Sequence, residues 1–498
     1  MIAVLGVIGI ERSVQRDAGM TLTRTVLEGT SWTAFSQVGR QVLQLTVIVV
    51  LARLLSPGDI GVVAMATVVT GFVALFSDLG TSAAVIQKAE HSPGFLSAVF
   101  WLNLGFGLGT MLVVMASASW IAAFYGEPRL TAILVVLSVS FPLTGLFVLQ
   151  RALLERAMDF QLLARVEMLS TVTGGAVGIL VAFTGGGIWA LVMQSLVSTT
   201  SMAVLLWVYG GWRPRFEMDL AEVRGIVGFS GYLTGFNVIN YFSRNADYVL
   251  IGRLLGSTEL GYYSMAYRIL MFPLQNLSSV ITRVTLPAFS RIQGDDARFR
   301  SAYLRCIGVI ALLSFPLMAL VFTTAKPFVQ AVLGEPWLPV VPLLLIFAPV
   351  GLVQSVGSTV GVLYIAKNGT ALLFKWGLYG GLIIVTSFIV GLNWGVIGVA
   401  GCYAVVALLL AYPGMSIPLR LVGLSVRDSL VVLWRSFVSA VLMGILVVVV
   451  SRFLSPAISP WSLLAIEVTL GLCTYALLST VINRRQLREL WSSFRGEE

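Results

Sequence analysis

Apolar residues in this chain fall into blocks of about 20, separated by short polar stretches that carry most of the charge. The blocks lie near residues 30–54, 60–78, 95–118, 131–150, 169–184, 188–209, 226–251, 260–282, 304–325, 340–366, 371–391, 395–414, 431–451 and 461–482. A helix rises 1.5 Å per residue, so about 20 residues cross the roughly 30 Å hydrocarbon core of a bilayer. No water is present there, and a spanning segment must pair its own N–H and C=O groups, which a helix does within itself. The pattern predicts an all-α polytopic membrane protein with about 14 transmembrane helices.

Composition agrees. Of the 498 residues, 57% are apolar and 11% charged, with a mean hydropathy of +0.92, where a soluble domain carries roughly 25% charged residues. With so little polar surface, lipid has to be the solvent for much of the chain. Cys306, Cys402 and Cys473 lie in or beside apolar blocks without C-x-x-C spacing and read as small core residues. His91 is the single histidine and sits in a polar stretch, so neither a histidine-based metal site nor a cofactor is expected. Residues 1–20 lack the basic lead of a signal peptide and are too short to span; a start at Met20 fits as well as one at Met1.

The 32 lysines and arginines set the expected orientation. With a cytoplasmic N-terminus, 24 fall in inside segments, five (Arg53, Arg129, Arg253, Lys326, Arg452) in outside ones, and three (Arg40, Arg244, Arg268) within spans. Lys and Arg concentrate in cytoplasmic loops, and an even helix number with both termini inside satisfies this at nearly every loop. The net charge of +9 then reflects topology and contact with anionic membrane lipids, not nucleic acid.

The chain also repeats itself. At a shift of 200, Val50-Leu51-Ala52-Arg53-Leu54-Leu55-Ser56-Pro57-Gly58-Asp59-Ile60-Gly61 aligns with Leu250-Ile251-Gly252-Arg253-Leu254-Leu255-Gly256-Ser257-Thr258-Glu259-Leu260-Gly261, and Met65-Ala66 with Met265-Ala266. Gly126-Glu127-Pro128-Arg129-Leu130 returns as Gly334-Glu335-Pro336-Trp337-Leu338 at a shift of 208. The unit holds six helices, an even number, so both copies share one orientation about an axis along the membrane normal. The expected organisation is an N-terminal tail (1–25), two six-helix lobes (26–215 and 216–420), and a C-terminal accessory helix pair with a cytoplasmic tail (421–498). Transporters of this build hold substrate where the halves meet.

Candidate chemistry lies on the repeat-related helices. Gln37, Arg40, Gln41 and Gln44 fall at i, i+3, i+4 and i+7, one helical face. At the same shift the seventh span presents Asn237, Asn240, Tyr241 and Arg244, followed by Asp247, and the eighth adds Arg268. An Arg near mid-membrane costs about 2.5–3.5 kcal/mol by insertion scales, so these side chains should face protein or water. One reading lines a central cavity with them; the other has Arg244 pair with Asp247 while Gln and Asn glue helices together. Arg53 and Arg253 read as interfacial snorkelling residues, and Glu467, outside the repeat, as a helix contact. The basic amphipathic segments Arg151 to Glu167 and Arg283 to Arg305 are either ordinary positive loops or headgroup-binding surfaces. Asp295-Asp296 reads as a solvated turn, and no G-x-x-x-x-G-K-[ST] is present, so the chain is not its own ATPase.

The duplicated motif carries a family resemblance. Ala52 to Gly61, Asp78-Leu79-Gly80, Ala83 to Gln87, Phe124-Tyr125-Gly126-Glu127-Pro128 and Arg151 to Phe160 resemble the polysaccharide-transport branch of the multidrug/oligosaccharidyl-lipid/polysaccharide exporter superfamily. Within it the chain is most similar to the Wzx-type flippases of lipopolysaccharide and exopolysaccharide repeat units, near the colanic acid and teichuronic acid exporters, over about residues 22–430. The resemblance implies two six-helix bundles and alternating access in a bacterial inner membrane. It also implies an undecaprenyl-diphosphate-linked oligosaccharide turned from the cytoplasmic to the periplasmic leaflet, with polysaccharide polymerase machinery as a further partner. On this resemblance Arg40, Arg244 and Arg268 would bind diphosphate or acidic sugars, and the neighbouring Gln and Asn residues sugar hydroxyls. Asp247 would couple an ion or orient Arg244. The alternative is a cation-coupled multidrug antiporter of the same superfamily; three mid-span Arg against Asp247 favour an anionic substrate. A membrane polymerase or ligase would need a large outside loop, and the longest here are about 12–15 residues.

Overall fold

The computed structural model describes residues 39–75, 85, 93–216, 238, 240–292, 294–367, 369–454 and 458–484. Among them the regular structure is helical, without strands. Ten stretches are long and apolar enough to cross a bilayer. One of these, Ala371–Leu421, holds two helices, Thr370–Gly391 and Gly395–Leu421, separated by the short turn Leu392–Trp394. Helices at 39–54 and 240–254, and the polar-spotted helix Ser257–Arg291, occupy the remaining blocks. Each of the fourteen apolar blocks thus falls on a helix wherever it is described.

Local chemistry starts these helices. At Pro57–Ala74, Ser56 Oγ accepts from Asp59 N at 3.2 Å while the Asp59 carboxylate accepts from Ser56 N at 3.3 Å, a reciprocal cap with Pro57 at the first position. Ser425 and Asp428 repeat the arrangement at Val426–Leu454. Asp159 caps Phe160–Phe183, and Ser459 caps Pro460–Ile482.

The contacts divide the chain into two units, one ending at Gly261 and one beginning at Tyr262. In the first, small residues let helices approach closely, as expected where lipid gives no hydrophobic drive between helices. A Cβ on Gly174 would lie 2.6 Å from Gln194 O, joining Phe160–Phe183 to Trp189–Tyr209; a Cβ on Gly145 would lie 2.7 Å from Asn103 O. Val47 and Leu51 of helix 39–54, with Leu55 just beyond it, pack with Ala182 and Ala190. In the second unit Phe299, Tyr303, Ile307 and Phe315 of Asp296–Thr323 form the core with Leu363, Leu419, Met443 and Tyr475. The accessory helices Val426–Leu454 and Pro460–Ile482 therefore pack on this unit, and Tyr475 Oη donates to Leu312 O at 2.9 Å. Trp120, Phe183, Val208, Leu382, Leu409 and Val481 point outward, the surface that acyl chains would cover.

Candidate functional site

Of the proposed binding residues, Gln37 and Asn237 lie outside the described residues. Arg40 is half-buried and donates through Nη1 to Glu167 Oε2 on helix Phe160–Phe183. The other oxygen of Glu167 accepts from Arg151 Nη2 at 3.1 Å, and Arg151 Nε reaches Glu155 at 3.0 Å. Two guanidiniums and two carboxylates thus form one neutral chain. Arg40 is not an isolated cation. Its partner lies 127 positions away and leaves no periodic signal along the chain, although Glu167 is an acid at the foot of an apolar run.

Gln41 is partly buried and Gln44 exposed on the same helix. Tyr241 is half-buried, and its hydroxyl donates to Val68 O at 2.8 Å, while its ring packs 6.1 Å from Phe72. Gly71 makes room for it: a Cβ there would lie 2.5 Å from Tyr241 Oη. Tyr241 therefore fastens helix 240–254 to Pro57–Ala74. Asn240 and Arg244 are exposed, and Asp247 is 4% exposed with Tyr248 N donating to its Oδ1 at 2.9 Å. Among the described residues no ion pair joins Arg244 to Asp247. Arg268, on Ser257–Arg291, is likewise exposed and forms no ion pair with a described carboxylate. Among the described residues Arg244 and Arg268 are thus exposed guanidiniums outside any ion pair; guanidinium geometry matches phosphate oxygens two at a time.

The duplicated motif meets its own copy in space. Gly61 and Gly261, equivalent at the shift of 200, lie in one contact: a Cβ on Gly61 would fall 1.7 Å from Ser257 O, and one on Gly261 1.9 Å from Pro57 O. Beside it, Arg129 joins Glu127 at 2.8 Å and Asp59 at 3.3 Å, and Ser257 Oγ donates to Glu127 at 3.2 Å. The Arg129 guanidinium beside Glu127 holds that carboxyl below its usual range, with the Ser257 hydroxyl adding to the effect. Arg253 lies 5.5 Å over the Phe124 ring, a cation–π contact where snorkelling was expected. Gly126 and Gly334, equivalent in the second repeat match, have φ of +69° and +100°, a conformation glycine adopts without strain. Both copies therefore place a glycine at positive φ at the equivalent position.

Apolar helices long enough to span, one after another along the chain, define a multi-pass helical membrane protein. Solved structures agree: the chain superposes on the lipid II flippase MurJ in an inward closed conformation with a TM-score of 0.74 at 15% identity, covering 91% of this chain and 99% of that one. An inward-facing multidrug MATE family transporter gives 0.62 at 15% identity over 77% and 94%. At such identities the likeness is one of fold. The chain belongs to the polysaccharide biosynthesis protein family, whose model matches residues 50–342. Among curated proteins it is 28% identical to the lipopolysaccharide biosynthesis protein WzxC of Escherichia coli over 84% of this chain and 86% of that one. It is 27% identical to the teichuronic acid biosynthesis protein TuaB of Bacillus subtilis (72% and 74%) and 30% identical to the succinoglycan biosynthesis transport protein ExoT of Rhizobium meliloti (71% and 72%).

Proposed function

We infer that this protein is a flippase that moves a lipid-linked oligosaccharide repeat unit across a bacterial cytoplasmic membrane for lipopolysaccharide or exopolysaccharide synthesis. The observation that carries this reading is membership of the polysaccharide biosynthesis family along most of the chain, with relatives named for polysaccharide biosynthesis and transport. The fold shared with a lipid II flippase supports it. The two lobes 26–215 and 216–420, both termini inside, and association with polymerase machinery belong to the same proposal.

Arg244 and Arg268 bind the anionic part of the substrate, and Arg40 joins them when phosphate exchanges for Glu167. Gln41, Gln44 and Asn240 hydrogen-bond sugar hydroxyls, Gln37 and Asn237 extend the same faces, and Asp247 orients its helix or couples an ion. The purified chain in proteoliposomes should speed transfer of a lipid-linked oligosaccharide between leaflets, read as accessibility to a lectin or glycosidase added outside. Arg244→Gln and Arg268→Gln should each lower that rate at unchanged reconstitution. Equal rates with and without the wild-type chain would sink the flippase reading; full activity of both variants would sink only the residue assignment.

A further inference from the structure

The break between helices Gly395–Leu421 and Val426–Leu454 gathers positive charge at one membrane boundary. Tyr412, Ser416 and Arg420 recur every four residues on the first helix and share one of its faces. With Leu424, Arg427 and Leu430 they line a cavity of about 420 Å³. Arg300 lies against the same turn: a Cβ on Gly423 would come within 3.0 Å of its Nη2, and its Nε is buried with no hydrogen-bond partner. Among the described residues neither Arg420 nor Arg427 forms an ion pair. The nearby carboxylates are already engaged, Asp428 by Ser425 N and Oγ, both at 2.8 Å, and Asp296 by Lys367 at 2.6 Å. Arg427 acts on Asp428 and Arg300 on Asp296 through space, yet Arg300, Lys367, Arg420 and Arg427 outnumber these two carboxylates, so the turn keeps a net positive charge.

Its surroundings are apolar. Leu421, Leu430 and Val431 are exposed beside the cavity, as are Tyr412 and Trp434. At the end of two spans these side chains meet acyl chains and the headgroup layer, where aromatic residues concentrate. A free phosphate would satisfy the cations and leave the apolar wall bare; a phosphate carried on acyl chains satisfies both. We propose that this cavity binds the headgroup of an anionic phospholipid of the surrounding bilayer, its phosphate held by Arg420 and Arg427 and its headgroup hydroxyls by Ser416 and Tyr412. The site shares no residue with the proposed substrate cations and does not depend on the flippase reading.

Native mass spectrometry of the full chain, released from detergent after incubation with equal phosphatidylglycerol and phosphatidylcholine, tests it. The wild type should retain phosphatidylglycerol preferentially, and the double variant Arg420→Gln, Arg427→Gln should lose that preference by about tenfold or more, given what each basic residue contributes near an anionic surface. Arg435→Gln, on the same helix but outside the cavity, should leave it unchanged. A second measurement needs no variant: phosphatidylglycerol should raise the unfolding temperature of the wild type, while phosphatidylcholine and millimolar inorganic phosphate should not. Equal retention of both lipids by the wild type, equal loss in Arg435→Gln, or a rise with inorganic phosphate alone would overturn the proposal. Displacement by a polyprenyl diphosphate but not by excess phosphatidylglycerol would also overturn it and make the cavity a substrate site.

Discussion

Arg40 and Glu167 show how far a single residue's role depends on what folding brings to it. A guanidinium in a span invites a ligand-binding reading, yet its carboxylate partner also serves Arg151. Removing one member of a paired, partly buried set leaves the others uncompensated, a cost of about 1–2 kcal/mol once solvent exposure is allowed for. Glu167→Gln should therefore lower the unfolding temperature in detergent. If Arg40 also meets substrate, Arg40→Gln should cut transport at normal membrane levels; a purely structural role would lower the membrane level instead, and by less than Glu167→Gln does, because Glu167 keeps Arg151 when Arg40 is lost. Glu127 makes a pH-dependent contribution. Its carboxyl is held below the ordinary Glu value in the fold, chiefly by Arg129, so its stabilisation is complete above the ordinary value of about 4.3 and fades as pH falls through the lower folded value. The difference in unfolding temperature between wild type and Glu127→Gln should be largest near pH 7 and shrink toward pH 3.5; a constant difference would contradict this electrostatic account.

Between elements, the strictest constraint is the meeting of Gly61 and Gly261. Each lies against the opposite helix's backbone, where a methyl group has no flexible neighbour to displace. Gly61→Ala and Gly261→Ala should each destabilise by at least the 1–3 kcal/mol typical of overpacking, read as thermal unfolding in detergent. Gly58→Ala is the internal control, because its Cβ would meet Thr258 Oγ1 at an ordinary 3.4 Å. It should be tolerated. The spans themselves were readable because apolar length alone defines them. The helix ends were less so: Pro93–Tyr125 runs to 33 residues, beyond the block at 95–118, since a helix continues while its backbone bonds and tertiary neighbours permit, not only while lipid surrounds it.

Across the whole molecule, the proposed transport of a diphosphate-linked substrate has an available driving force. About two negative charges leaving an inside-negative compartment gain about 2.3 kcal/mol each per 100 mV. In right-side-out vesicles, collapsing the potential with a potassium ionophore at matched potassium should slow net export; an unchanged rate would exclude potential as the drive. The amino-acid sequence alone determined the number and placement of spanning helices, the duplication and the family, because these rest on apolar length, short motifs and spacing, all local along the chain. Partners distant along the chain were decided only by tertiary structure: Glu167 for Arg40, Val68 for Tyr241, Gly261 for Gly61. The reason is physical. In a chain so uniformly apolar, many helix arrangements bury similar area, and the choice among them falls to a few close backbone approaches and polar pairs that leave no periodic trace in the sequence.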